Sequence, residues 1–353
     1  DVERSRGLGD VYKRQSISSS MSSIGISFLF LFLTFTNKKL FLDLRINNSI
    51  YIDPFITFSE NVVSGADSCQ NESELFCFVA NYHSMTSISD KVKLEENTRE
   101  AFIDLLALGI DPDQSTFWVQ SHVPEVTELA WILSNFASVG LMQRSTSYKD
   151  KIANGLKPNM GLFSYPILMA SDILLFQSEI VPVGKDQKQH LEMTRDIAIK
   201  FNNSFGEIFT IPEIEIDKSN DVVIGIDNQK MSKSYNNTIP IFASNDIIKD
   251  QVMNIVTDSA GLNDPKDQDT PLFKIYSLFL DDESKKELSD RYNTPGLKYM
   301  DIKKELIETI ISFFESQKLE REKLVLDNDE VTKKMILGQT KAKEIAQKTL
   351  LEV

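Results

Sequence analysis

The chain has 353 residues, 41% hydrophobic and 25% charged, which is enough for a large core and for more than one domain of ordinary size. Its formal charge of −14 argues against non-specific adhesion to nucleic acid or to anionic membranes, while a local basic face stays open. Two cysteines and three histidines leave no disulfide framework, no cysteine zinc set and no multi-histidine metal centre.

Residues 1–65 differ from the rest. Residues 1–15 are charged and aperiodic, 16–23 are serine-rich, and 24–35 are almost continuously apolar between Lys13, Arg14 and Lys38, Lys39. That run is shorter than the roughly 20 residues needed to span a bilayer. The segment reads as disordered, as a signal-peptide core or targeting extension, or as misread sequence. Order is expected from about residue 74, where Glu74-Leu-Phe-Cys-Phe-Val-Ala has the near-continuous apolarity of a buried parallel strand. Cys77 falls inside it and reads as plain core. The polar run that follows, with Asn81 and His83, lies at that strand's carboxyl end, where α/β folds present site residues. A helix is predicted over residues 94–108, stopped by Gly109. Residues 115–121 form a second strand, which completes a right-handed βαβ unit. Pro124 opens a further helix.

Residues 148–159 read as a loop. Residues 164–198 then read as helix, short strand, turn, helix. Pro166 suits a first helical turn. Tyr165, Met169 and Asp172 fall at i, i+4 and i+7 and share a face. Such stripes are usually core. An aromatic, a thioether and one carboxylate also suit an apolar cleft with a single directional acceptor. After Val181 and Val183, Gly184 breaks the strand and Asp186 stands at a helix N-cap position. Gln187 and His190 share one face of the following helix. Short edge strands are expected over residues 209–216 and 222–226. Lys230 and Lys233 then lie in a polar loop with Met231, Ser232 and Ser234. A Lys-x-x-Lys is usually a solvated turn, but two lysines and two hydroxyls also suit a polyphosphate. From residue 245, where Asn245 is the expected cap, everything reads helical.

The blocks Tyr-Pro-x-x-Met-x-x-Asp-Ile-Leu, Val-Pro-Val-Gly-x-Asp-Gln-x-x-His-x-Glu-x-Thr-Arg-Asp and Lys-Met-Ser-Lys-Ser stand in this order from Tyr165 to Ser234. With them, the chain from about residue 65 onward closely resembles the bacterial-type tryptophanyl-tRNA synthetases, which are class I aminoacyl-tRNA synthetases. The resemblance implies an α/β fold: a Rossmann-type parallel sheet with helices on both faces over residues 66–240, then an all-helical C-terminal domain over 241–353 that contacts tRNA. It implies that tryptophan is activated with ATP and Mg²⁺ and passed to tRNA(Trp), by a homodimer without a membrane, cytoplasmic or, if residues 1–65 are a targeting segment, organellar. It assigns Asp172, Tyr165, Met169, His83, Val181, Val183 and Gln187 to tryptophan. Gly184, Lys185, Asp186, Val223, Lys230, Met231, Ser232, Lys233 and Ser234 go to ATP, with Lys230 and Lys233 acting on the phosphates; no metal site is implied. Tyrosyl-tRNA synthetases resemble the same pattern but usually carry glutamine where Met169 stands. One departure is plain. The family's first signature, Pro-[Ser/Thr]-Gly-x-x-x-x-Gly-Asn, is absent from residues 1–67, and no histidine precedes His83. The first β-α unit is therefore expected to be lost, which leaves a central sheet edge unpaired and an inactive synthetase-like dimer as the alternative function.

Overall fold

The computed structural model describes residues 39–44, 74–86, 88–145, 148–149, 152, 157–182, 187–215, 224–231 and 235–353. Its frame is a five-stranded parallel sheet of β1 (Lys39–Leu44), β2 (Glu74–Val79), β3 (Thr116–Val119), β4 (Ile180–Pro182) and β5 (Glu213–Glu215). The spatial order is β3-β2-β1-β4-β5. β1 therefore holds the central position, with Leu42 opposite Cys77 and Leu40 opposite Ile180.

This corrects the expectation of a bare central edge. A slot between two parallel strands offers two rows of unpaired backbone groups. A short apolar run such as Leu-Phe-Leu-Asp-Leu is suited to fill it, because a central parallel strand needs apolar residues on both faces and shows no alternation. The remainder of residues 1–65 lies outside the described residues.

β2 divides the interior. Leu75, Cys77 and Val79 point to one core and Phe76 and Phe78 to the other, as the period of two requires. The first core is closed by α2 (Lys91–Ala107), after the single turn α1 (Asn81–Ser84). Asp90 caps α2 by accepting from the Lys93 N–H at 2.8 Å. Gly109, at φ 104°, ends it in a Schellman motif. The Gly109 N–H donates to the Leu106 carbonyl at 3.0 Å, the Ile110 N–H donates to the Leu105 carbonyl at 3.1 Å, and the Ile110 side chain is buried. The second core is closed by α3 (Glu125–Ser134), α4 (Val139–Gln143), α5 (Met160–Leu174) and α6 (Lys188–Phe205).

Two boundaries differ from the sequence reading. α5 begins a turn and a half before Pro166, because Asn159 caps it by accepting from the Leu162 N–H at 2.8 Å. Pro166 thus sits inside the helix and forgoes one internal hydrogen bond. The cap residue of α6 is Gln187, whose side chain makes no capping bond; Asp186 lies outside the described residues. The expected strand over residues 222–226 is, where described, a single antiparallel bridge between Ile224 and Lys230.

The helical part comprises α7 (Asn245–Met253), α8 (Pro271–Ser277), α9 (Asp282–Asn293), α10 (Tyr299–Phe313), α11 (Glu315–Leu326) and α12 (Asn328–Glu352). Ser244, not Asn245, caps α7. α12 runs back onto β3, and Ala342 and Ala346 join the second core. A Cβ on Gly338 would meet the Phe117 carbonyl oxygen at 1.6 Å, so only glycine allows this approach. The Lys341 ammonium donates to the carbonyls of Pro112 at 2.5 Å and Asp113 at 3.0 Å. Among the described residues no helix is long and apolar enough to cross a membrane.

α11 is joined to α2 by charge. The Arg321 guanidinium donates to Asp104 at 2.5 Å and also to Glu100, and it lies over the Phe242 ring at 5.4 Å. One cation thus serves two carboxylates, and Asp104 is much the more buried. Burial pushes Asp104 from 3.8 up to about 7, against the lowering pull of Arg321. A folded-state value above the unfolded one stabilises the fold fully below 3.8, and that stabilisation is lost as pH rises through 7. Wild-type melting temperature should therefore fall relative to that of Asp104→Asn between about pH 5 and pH 8, because asparagine keeps the acceptor without the titration. A constant difference across that range in parallel thermal melts would contradict it.

Candidate active site

The carboxyl ends of β2 and β3 lie side by side and are tied together. Asn81 and Ser121 exchange two hydrogen bonds: the Asn81 amide donates to Ser121 Oγ at 2.8 Å, and the Ser121 N–H donates to Asn81 Oδ1 at 3.0 Å. This fixes two neighbouring side chains, His83 on α1 and Gln120 in the turn after β3. Both reach Asp172 on α5. His83 Nε2 lies 2.9 Å from Asp172 Oδ2, and the Gln120 amide donates to both carboxylate oxygens at 2.9 and 2.8 Å. Gln120 is oriented in turn by the Tyr82 N–H, which donates to its Oε1 at 2.9 Å. α5 is held in register by Ser171, whose hydroxyl donates to the Val126 carbonyl at 2.6 Å.

Asp172 is only 2% exposed, so its donors matter. A buried carboxylate without them would neutralise or destabilise the fold. Around it stand the other stripe residues. Met169 and Val181 are buried, and Tyr165 stands edge-on to His83 with ring centroids 6.0 Å apart. Tyr165 continues the line to His190 and Gln187 at the start of α6. Asp172, Tyr165, Met169, His83, Val181 and Gln187 are thus brought to one region between α1, α5, β4 and α6. Val183, Gly184, Lys185 and Asp186 lie outside the described residues.

The lysine loop is described at its two ends. Lys230 is exposed and bridged to Ile224. Asn237 staples the loop base: its amide donates to Asp227 Oδ1 at 2.7 Å and to the Lys230 carbonyl at 3.0 Å. The Met231 side chain, expected beside ATP, is 3% exposed and belongs to the core with Ile226, Ile239 and Ile241. It anchors the loop rather than facing solvent. Val223, Ser232, Lys233 and Ser234 lie outside the described residues. Among the described residues no group of three or more His, Cys, Asp or Glu is placed to hold a metal ion.

Sequence reasoning missed Gln120. The available signal was its place at the carboxyl end of a strand, the same signal that singled out the run at Asn81. Beyond His83 and Tyr165 a second feature opens to the surface. It is a cavity of about 620 Å³ between α1, α3, α4 and α5, edged by the exposed side chains of Met85, Trp131, Val139 and Met160.

Comparison with known proteins finds similar sequences and structures. A family model described as class I tRNA synthetases (W and Y) matches residues 63–315. A tryptophan--tRNA ligase of Campylobacter jejuni is 50% identical over 285 residues, 80% of this chain and 89% of that protein. One of Fusobacterium nucleatum is 49% identical over 78% of this chain and 86% of that protein. A crystal structure of the Campylobacter jejuni tryptophanyl-tRNA synthetase with ADP and tryptophan superposes with a TM-score of 0.82, at 46% identity, over 89% of this chain and 97% of that one.

Removing the Gln120 amide strips the buried carboxylate of a donor aimed at both oxygens. Gln120→Ala should cost about 1.5–3 kcal/mol of unfolding free energy, the range for hydrogen bonds to charged groups. Denaturant unfolding reads this directly. The cost should shrink in an Asp172→Asn background, where no charge remains to be served.

Proposed function

The chain belongs to the class I tRNA synthetases of the tryptophan and tyrosine branch, and on that premise we propose that it is a tryptophan--tRNA ligase acting through the site around Asp172. The observation that carries the reading is a single buried carboxylate, held by Gln120 and His83, with the apolar thioether of Met169 one turn away on the same helix. A carboxylate fixed in this way accepts the indole N–H of tryptophan. The thioether suits the rest of the indole better than it would suit a phenol hydroxyl. Tyrosine is the alternative substrate, and both curated relatives named above act on tryptophan.

The reaction follows. The tryptophan carboxylate attacks the α-phosphate of ATP, and pyrophosphate leaves. The adenylate then passes its acyl group to the terminal ribose of tRNA(Trp). No covalent bond to the protein is needed, so positioning and charge stabilisation do the work. Lys230 and Lys233 act on the phosphates from the loop that Asn237 staples. Gly184, Lys185, Asp186 and Val223 are assigned to the nucleotide by the same resemblance. Mg²⁺ enters with the phosphates of ATP, as part of the substrate. A site built around a hydrogen bond rejects a ligand lacking the donor by roughly 10⁴-fold, which supports sharp amino-acid selection without editing.

The working unit is a homodimer. The apolar cavity edged by Trp131, which is 76% exposed, Met85, Val139 and Met160 lies directly behind His83 and Tyr165 and suits burial against a second copy. The helices over residues 241–353 supply the tRNA surface, with exposed lysines such as Lys333 and Lys348 on α12. The reaction serves translation and belongs in the cytoplasm.

Tryptophan-dependent ATP–pyrophosphate exchange tests the activity, with tyrosine as control. Exchange with tryptophan alone is expected. Asp172→Ala should raise the KM for tryptophan by at least tenfold, and Lys233→Ala should lower kcat with little change in that KM. Exchange with tyrosine, or none with either, overturns the reading. Trp131→Glu should shift sedimentation from dimer to monomer; an unchanged species would remove the cavity from the interface.

A further inference from the structure

His190 is fully buried and bridges two of the residues assigned to tryptophan. Its Nε2 lies 2.5 Å from the Tyr165 hydroxyl and 3.2 Å from Ser145 Oγ, and its Nδ1 lies 3.1 Å from Gln187 Oε1. These three partners come from three separate pieces of chain: α5, the segment two residues beyond α4, and the cap residue of α6. The Tyr165 ring stands across the imidazole with centroids 5.1 Å apart, so the hydroxyl is held sideways as well as along the bond. The helix register is fixed too, because the Thr194 hydroxyl donates to the His190 carbonyl at 3.0 Å.

The partners dictate the proton. A glutamine Oε1 accepts only, and the Tyr165 hydroxyl, 3.2 Å from Nδ1, lies closer to Nε2 at 2.5 Å, so the neutral imidazole carries its hydrogen on Nδ1. Nε2 is then the lone-pair side, and the Tyr165 O–H donates to it. A hydroxyl whose one proton is committed has only lone pairs left to offer elsewhere. Tyr165 is thereby set as an acceptor toward the pocket, which suits the ammonium of an amino acid. Gln187 is set as well, its carbonyl end turned to His190.

We propose that His190 is a positioning residue for amino-acid binding. Through its Nδ1–H tautomer it fixes the Tyr165 hydroxyl as an acceptor and orients Gln187, without touching substrate itself. The proposal rests on the reading that Tyr165 and Gln187 face tryptophan.

The test is ATP–pyrophosphate exchange on the full chain, with two replacements that each keep one side of the ring. Asparagine imitates Nδ1 and glutamine imitates Nε2. His190→Asn loses the acceptor for Tyr165 and should raise the KM for tryptophan about tenfold, the size of one lost neutral hydrogen bond, with kcat and the KM for ATP unchanged. His190→Gln should recover most of that loss. In a Tyr165→Phe background, His190→Asn should add nothing. Equal effects of Asn and Gln, a fall in kcat in place of a rise in KM, or full additivity with Tyr165→Phe would overturn the proposal. If Tyr165→Phe and Gln187→Ala leave the KM for tryptophan unchanged, the pocket assignment itself fails and takes the proposal with it. If they raise it and His190→Asn does not, only His190 is misassigned. Nitrogen-15 spectra of the histidine-labelled wild-type chain give a second reading independent of any variant. Nδ1–H is expected for His190, and Nε2–H would overturn the proposal.

Discussion

A carboxylate taken out of water must be surrounded by donors, and much of this molecule is arranged to meet that demand at Asp172. His83 and Gln120, which serve it, come from the ends of β2 and β3, so those strands must be adjacent and in register. The Asn81–Ser121 pair holds the ends together, and Tyr82 aims Gln120. α5 must present Asp172 at the matching height, which the Ser171 bond to α3 secures. A site with one charged acceptor in an apolar setting is therefore a product of the sheet's geometry and not only of the helix that carries the acid. The same economy of polar groups continues outward through Tyr165, His190 and Gln187, where each hydrogen bond limits the direction of the next.

Two of the contacts that tie the helical part to the rest of the molecule differ in chemistry. Gly338 lets α12 touch the backbone of β3, a contact of shape. Arg321 joins α11 to α2 and covers Phe242, a contact of charge and ring. Phe242 lies a few residues beyond the lysine loop, so the loop's distal stem, α11 and α2 meet at one guanidinium. Arginine suits such a junction because its planar fork can serve two carboxylates and an aromatic face together.

Much of this was legible in the sequence, where the physics is local. The Gly109 stop of α2, the buried β2 with Cys77, and the shared face of Tyr165, Met169 and Asp172 all follow from periods and caps. What failed was decided at long range. β1 has no period to read, and its role depends on a slot between β2 and β4, residues that lie far along the chain. Pro166 was given a first turn because its own preference is local, while the Asn159 cap upstream set the true start. Gln120 offered only its place at the carboxyl end of a strand, while the carboxylate that gives it a role lies 52 residues along the chain and is brought to it by the fold.

The return of α12 to the sheet has a consequence for the order in which the molecule comes into being. Phe117 and its strand are made more than two hundred residues before Gly338, and their outer face stays uncovered until that helix emerges. Contacts of such long sequence separation form late, because the chain between them must first be closed into a loop. A nascent chain of this protein therefore carries an incompletely covered sheet from the making of β3 until that of α12. By the proposed function, each copy of this translation enzyme reaches its working form only after α12 has been made and has returned to the strand of Phe117.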